Sequence, residues 1–188
     1  PHSAGTHLPI GDLKLNFTYP EGELSDYHHE LDLTTAVNTV TYKVGDTEYT
    51  RQCIASNPDD VIAMHIKASR PESITVELEL QPLRNAEVVA SGNQLIYTGN
   101  AEFEKHGRGG VLFEGRIAAE IKGGTIKADG KKLLIDKATE VLLLSDVRTN
   151  YKNTTFAGYD YQQKCKETIE AASKKSFKTL RNTHVEDY

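Results

Sequence analysis

The stretch Ile74-Thr-Val-Glu-Leu-Glu-Leu80 decides the architecture. Its side chains alternate, so Ile74, Val76, Leu78 and Leu80 share one face while Thr75, Glu77 and Glu79 share the other. That is strand geometry with one face meant for a core and one for water. Burying the four apolar side chains contributes roughly 1.5–3 kcal/mol each. The same alternation returns at Leu13/Leu15/Phe17, over residues 37–44 and 61–66, at Leu95/Tyr97, over 113–121, at Leu133/Ile135 and over 141–144. Between these runs stand turn signals. Val44-Gly-Asp-Thr47 and Lys122-Gly-Gly-Thr125 read as tight hairpin turns, and the Asp-Gly pair of Ala128-Asp-Gly-Lys131 favours type I′. Asn57-Pro-Asp59 is a turn whose proline cannot occupy a central strand.

About a dozen short strands with tight connections and no crossover helix predict a mainly β chain, an antiparallel β-sandwich. Its last thirty or so residues change period. Asp160 can cap a helix carrying Tyr161, Cys165, Ile169 and Ala172 at helical spacing, and Ser176 can cap another with Phe177, Leu180, His184 and Tyr188. The expected division is a sandwich over residues 1–158 and C-terminal helices over 159–188. These helices either pack on a sheet edge or lead into a further domain.

Composition narrows the function. A chain of 188 residues can bury roughly 70% of its unfolded surface, enough for one core. The net charge is -5, and its lysines and arginines form no cluster, so a nucleic-acid partner is not expected. No apolar run reaches the ~18 residues needed to cross a membrane as a helix, and no signal-peptide pattern opens the sequence. Two cysteines, Cys53 and Cys165, read as small buried hydrophobes rather than a bridge.

Chemistry is sparse. Glu30 and Asp32 share a strand face, as do Glu77 and Glu79, but such pairs are the usual solvent side of a sandwich strand, and no catalytic residue is assigned. His28 and His29 point to opposite faces, the other histidines are scattered, and neither a metal nor a cofactor is expected. Gly-x-Ser-x-Gly and phosphate-loop patterns do not occur in the sequence. The segment Glu104-Lys-His-Gly-Arg-Gly-Gly110 has ligand potential, with His106 and Arg108 able to hydrogen-bond sugar hydroxyls. Should the sandwich itself hold a sugar, Tyr97, Tyr151 or Tyr159 would have to stack on it, because there is no tryptophan.

An ordered series of short motifs adds a resemblance. Leu8-Pro-Ile-Gly-Asp-Leu13, Tyr27-His-His-Glu-Leu-Asp-Leu-Thr-Thr-Ala36, Tyr49-Thr-Arg51, Ala55-Ser-Asn-Pro-Asp59, Gly109-Gly-Val-Leu-Phe-Glu114 and His184-Val-Glu-Asp-Tyr188 occur in this order. Together they resemble the N-terminal β-domain of glycoside hydrolase family 95, the inverting α-L-fucosidases. Two departures stand out, His29 in place of an arginine and Cys53-Ile54 in place of a phenylalanine. The resemblance implies a supersandwich-like fold and a role as the non-catalytic N-terminal part of a fucosidase, so whether the chain alone is an enzyme stays open. In that family an (α/α)6 barrel, not this segment, carries the catalytic groups. The implied partner is therefore that catalytic domain, with glycans as a further one and no membrane. The implied setting is extracytoplasmic, periplasmic or secreted, in a bacterial source. The alternative is an independent carbohydrate-binding or adhesion module.

Overall fold

The computed structural model describes residues 9–83, 85–101, 111–151 and 159–188. Two antiparallel sheets and two helices make three layers. The smaller sheet has the order β1-β6-β11-β10, from β1 (Gly11–Thr18), β6 (Ile74–Pro82), β10 (Thr125–Asp129) and β11 (Lys132–Ala138). The larger sheet runs β2-β3-β4-β5-β12-β9-β8-β7. Its strands are β2 (Leu24–Asp32), β3 (Val37–Val44), β4 (Thr47–Ser56), β5 (Val61–Ala68), β7 (Ala86–Ser91), β8 (Gln94–Ala101), β9 (Val111–Lys122) and β12 (Glu140–Thr149). The mainly β antiparallel sandwich expected from the alternation is what forms.

β6 behaves as its sequence dictates: Ile74, Val76, Leu78 and Leu80 are buried and the residues between them are half-buried. They join Tyr49, Ile66, Leu95, Phe113, Leu133, Ile135, Val141 and Leu143 in a core between the sheets. The larger sheet is apolar on its other face too. There Ile54, Val61, Ala63, Ala118, Leu142 and Leu144 meet Ile169, Ala172, Phe177 and Leu180 of the helices. That is why β12 reads as the continuous run Val-Leu-Leu-Leu rather than an alternating one: both its faces are covered.

The helices begin where their caps predict. Asp160 accepts from the Gln163 amide at 2.9 Å to open α1 (Tyr161–Ala172), and Ser176 accepts from the Thr179 amide at 3.1 Å to open α2 (Phe177–Asp187). They lie across the face of the larger sheet, not along an edge as one sequence reading had it. A sheet apolar on both sides needs a second cover, and the amphipathic stripes of α1 and α2 supply it.

Two turn expectations change. Lys122-Gly-Gly-Thr125 is no hairpin: it carries the chain from β9 in one sheet to β10 in the other, with Gly123 and Gly124 at φ 72° and 67°. A Cβ on Gly124 would collide with the backbone of Asp136 to Ala138, so that crossing requires glycine. In the β10–β11 hairpin Asp129 pairs with Lys132, which makes Gly130 and Lys131 the central residues. Only Gly130 has positive φ, the signature of type II′ rather than type I′.

Candidate functional site

His106 and Arg108 lie outside the described residues. Site-like features among the described residues include two polar clusters, an arginine among aromatic rings, and a groove beside α2.

The first cluster lies beneath α1. On β9 Glu114 and Arg116 face the helix, and on β12 Asp146 and Arg148 do, with Glu114 opposite Arg148 and Arg116 opposite Asp146. Glu114 and Asp146 are both buried. Each is neutralised on its own strand: Arg116 Nε donates to Glu114 Oε1 at 2.7 Å and Arg148 Nε to Asp146 Oδ2 at 2.7 Å. Helix α1 completes the set, because Gln162 Nε2 donates to Glu114 Oε2 at 2.9 Å and Cys165 Sγ to the Asp146 carbonyl at 3.5 Å. Arg148 also reaches Asp60 at 3.2 Å. Two buried acids could suggest hydrolysis, but a proton donor needs a carboxyl held neutral by an apolar or like-charged setting. Here each carboxylate has its own guanidinium at 2.7 Å, a structural ion pair rather than an apolar or like-charged setting. The cluster fastens α1 to the sheet. Burial, with the Asp146 carboxylate adding to it, pushes the Cys165 thiol up to about 12, so it is an inert core group.

The second cluster explains the Ala-Ser-Asn-Pro-Asp motif. Asp59, in the β4–β5 turn, has a side chain only 2% exposed. It accepts from Ser56 Oγ at 2.9 Å, from Thr183 Oγ1 at 3.0 Å and from Lys175 Nζ. Burial by itself would raise its pKa, but these three donors outweigh that and hold it below the usual carboxylate value.

Arg51, from Tyr49-Thr-Arg51, sits with its guanidinium 4.2 Å from the Phe17 ring centre and 4.9 Å from that of Tyr42. Its Nη2 donates to the Tyr42 and Tyr19 hydroxyls at 2.6 and 2.9 Å. The stacked and edge-on rings of Phe17, Tyr19, Tyr42 and Tyr49 enclose it. This is a cation–π plug between the sheets rather than an open subsite.

The groove lies on the helix side. Two shallow clefts of about 230 and 500 Å³ meet at Phe177 and share His65 and Glu140. His65 stacks on Phe177 at 4.8 Å and contacts Glu140 at 3.4 Å, and burial holds its pKa below the usual imidazole value despite that carboxylate. Gln52, Lys67 and Arg181 line the larger cleft. Among the described residues Lys67 and Arg181 form no ion pair.

The other sequence candidates are dispersed. Tyr97 cannot stack on a sugar, because it is 5% exposed and lies in the core against Phe113. Tyr151 is exposed and Tyr159 half-buried. Asp32 is tied into its own turn by the Thr34 amide at 2.8 Å and the Thr34 and Thr35 hydroxyls at 2.7 and 2.8 Å, and Glu30 lies at the surface against His28. Glu77 and Glu79 both meet Lys132, at 2.8 and 3.3 Å. Among the described residues no group of three or more metal-ligating side chains occurs. Sequence reasoning missed the Glu114–Arg116 and Asp146–Arg148 pairs. An alternating acid–base pattern on strands otherwise apolar on both faces was the signal available.

Comparison with known proteins places the fold. The chain is 28% identical to "Alpha-L-fucosidase 2" of Arabidopsis thaliana, over 95% of its own length and 24% of that protein. It is 29% identical to "Probable alpha-fucosidase A" of Aspergillus niger, over 92% and 24%. It therefore spans about a quarter of the curated relatives it matches. Among solved structures, a putative kojibiose phosphorylase from the human microbiome superimposes with TM-score 0.60 at 12% identity, covering 92% of this chain and 26% of that one, a likeness of fold alone. The matching family model spans residues 1–154 and describes family 65, where the sequence motifs resembled family 95. The broader assignment, a glycosidase N-terminal β-domain, is common to both. The chain belongs to the glycosyl hydrolase family 65 N-terminal domain family.

Proposed function

We propose that this chain is the non-catalytic N-terminal β-domain of an α-L-fucosidase-type glycoside hydrolase, and that it supports a catalytic domain lying elsewhere in the polypeptide. The observation that carries this reading is the state of the buried acids. Glu114, Asp146 and Asp59 have buried carboxylate side chains, and each is engaged by an arginine or a lysine. Glycoside hydrolysis needs one carboxyl protonated and another free to act on water or the sugar. The two fucosidase relatives, matched over nearly the whole chain but a quarter of their own length, support the same reading. The test is direct. The 188-residue chain should show no turnover of a nitrophenyl α-L-fucoside, and the longer polypeptide that carries it should hydrolyse the substrate with inversion, followed by NMR of the released anomer. Turnover by the short chain would overturn the reading.

A second reading, that the domain holds a glycan itself, draws on the groove beside Phe177. Gln52, His65, Glu140 and Arg181 are the hydrogen-bonding types that sugars use, and the cleft of about 500 Å³ would take a monosaccharide. Titration with fucose-bearing oligosaccharides, wild type against Arg181→Ala, decides it: binding lost in the variant supports a subsite, and no binding at millimolar sugar removes it.

A further inference from the structure

Among the described residues, one corner of the larger sheet is bare on the face that the smaller sheet covers elsewhere. Strand pairing sets the row Ala55–Ile62–Ser145–Ile117–Leu95 across β4, β5, β12, β9 and β8. Leu95 and Ile117 are core residues, yet Ile62, in the same row, is 53% exposed. The adjacent row runs Leu31–Asn38–Cys53–Met64–Leu143. There burial fades from Leu143 in the core to Leu31, 56% exposed. Leu33, in the β2–β3 turn, and Tyr151, just past β12, are exposed at the same end. Isolated exposed leucines are ordinary, but Ile62 and Leu31 on this face, with Leu33 in the adjoining turn, expose apolar side chains at one end of the sheet, where an interaction site would lie.

We propose that this corner is where the remainder of a fucosidase-length polypeptide docks, through Leu31, Leu33 and Ile62. The inference rests on the function proposed above. Two observations select this occupant. First, the chain accounts for 24% of each curated relative, so in a protein of that length most of the polypeptide has to pack against something. The last turn of α2 is fastened at this end of the sheet: His184 Nε2 donates to the Thr35 carbonyl at 3.0 Å and Asn57 Nδ2 to Asp187 Oδ2 at 3.1 Å. The turns that hold it, 33–36 and 57–60, border the bare corner, so polypeptide following α2 in such a protein sets out beside it. Second, the edge strand is built against addition of another strand, which disfavours a second copy. β2 is bulged between Ser25 and His28, Asp26 has φ 52°, and Asp26, Glu30 and Asp32 place charge along it. What remains for a partner is the apolar sheet face, not the strand edge.

The experiment uses the longer polypeptide and the 188-residue chain side by side, with Ile62→Glu and Leu31→Glu, and with Leu24→Glu at the far end of β2 as control. In the longer polypeptide the two corner variants should split one cooperative melting transition into two, or lower its midpoint by several degrees. Leu24→Glu should do neither. In the 188-residue chain none of the three should move the midpoint, because each side chain is already more than half exposed. A longer polypeptide that melts as the wild type does with Ile62→Glu and Leu31→Glu overturns the inference. So does self-association of both proteins that Ile62→Glu abolishes, which would make a second copy the occupant. Failure of the underlying reading looks different: the unaltered longer polypeptide would then show no fucosidase turnover at all.

Discussion

Asp59 and Lys175 lie 116 residues apart in the chain, yet the lysine ammonium closes onto the buried Asp59 carboxylate. The pair joins the β4–β5 turn to the segment between α1 and α2, and Thr183 of α2 adds a hydroxyl to the same carboxylate. A short motif that reads in sequence as a turn is thus also the anchor of the helical layer.

Removing that anchor should be costly. Asp59→Ala leaves Lys175 free to reach water, so the loss is that of charge-assisted hydrogen bonds, about 2–4 kcal/mol. Urea denaturation measures it. The sign with pH follows from the depressed pKa. Because folding lowers the Asp59 pKa below 3.8, the carboxylate contributes its stabilisation above that value and loses it as pH falls through the folded one. Wild type and Asp59→Asn should therefore differ at neutral pH and converge as the medium is acidified below 3.8.

The charge pairs under α1 make a stricter case. Glu114→Ala leaves the half-buried Arg116 guanidinium without its carboxylate and should cost about 2–3 kcal/mol. The double variant Glu114→Leu with Arg116→Met removes both charges and should recover most of that loss. A double-mutant cycle by chemical denaturation reads the difference. Equal destabilisation by the single and double variants would mean the arginine was never dependent on the acid.

Gly115 is required by a neighbour rather than by its own backbone. It pairs across the sheet with Tyr97, whose ring covers it, and an added Cβ would collide with that ring. Gly115→Ala should therefore destabilise by about 2–3 kcal/mol through overpacking. Adding Tyr97→Val should return part of the stability, since the smaller side chain vacates the space. Thermal melting of the three proteins checks the order.

The cysteines give a quick check of the layers. Cys165 is sealed between α1 and β12 and its thiol is pushed up to about 12. Cys53, also raised by burial, is only half-buried and lies at the bare corner, where the reagent can reach it. Ellman's reagent at neutral pH should read one thiol in the folded chain and two after denaturation.

Much of this was legible in the sequence. Strict alternation at Ile74–Leu80 marks β6 because its period leaves no other way to bury four apolar side chains together. Asp160 and Ser176 announce the helix starts because capping is a local bond between neighbours. Motif order led to a glycosidase N-terminal domain, although to family 95 where the matching family model is 65. Gly123-Gly124 misled, since two glycines permit positive φ in a hairpin and in a crossing between sheets alike. Tyr97 misled as well, because an aromatic on a strand looks the same whether its face meets solvent or Phe113.

The sequence by itself determined most of the strands, both helix starts and that the body is a sandwich. These are properties of residues within a few positions of one another, governed by side-chain period and local hydrogen bonds. Only the tertiary structure decided that α1 and α2 cover a second sheet face, that Glu114 and Asp146 are neutralised by arginines, and that Ile62 lies bare while Ile117 in its own row is buried. Those outcomes depend on which strands become neighbours and how far one sheet extends beyond the other. Long-range pairing sets both, and no local pattern encodes it.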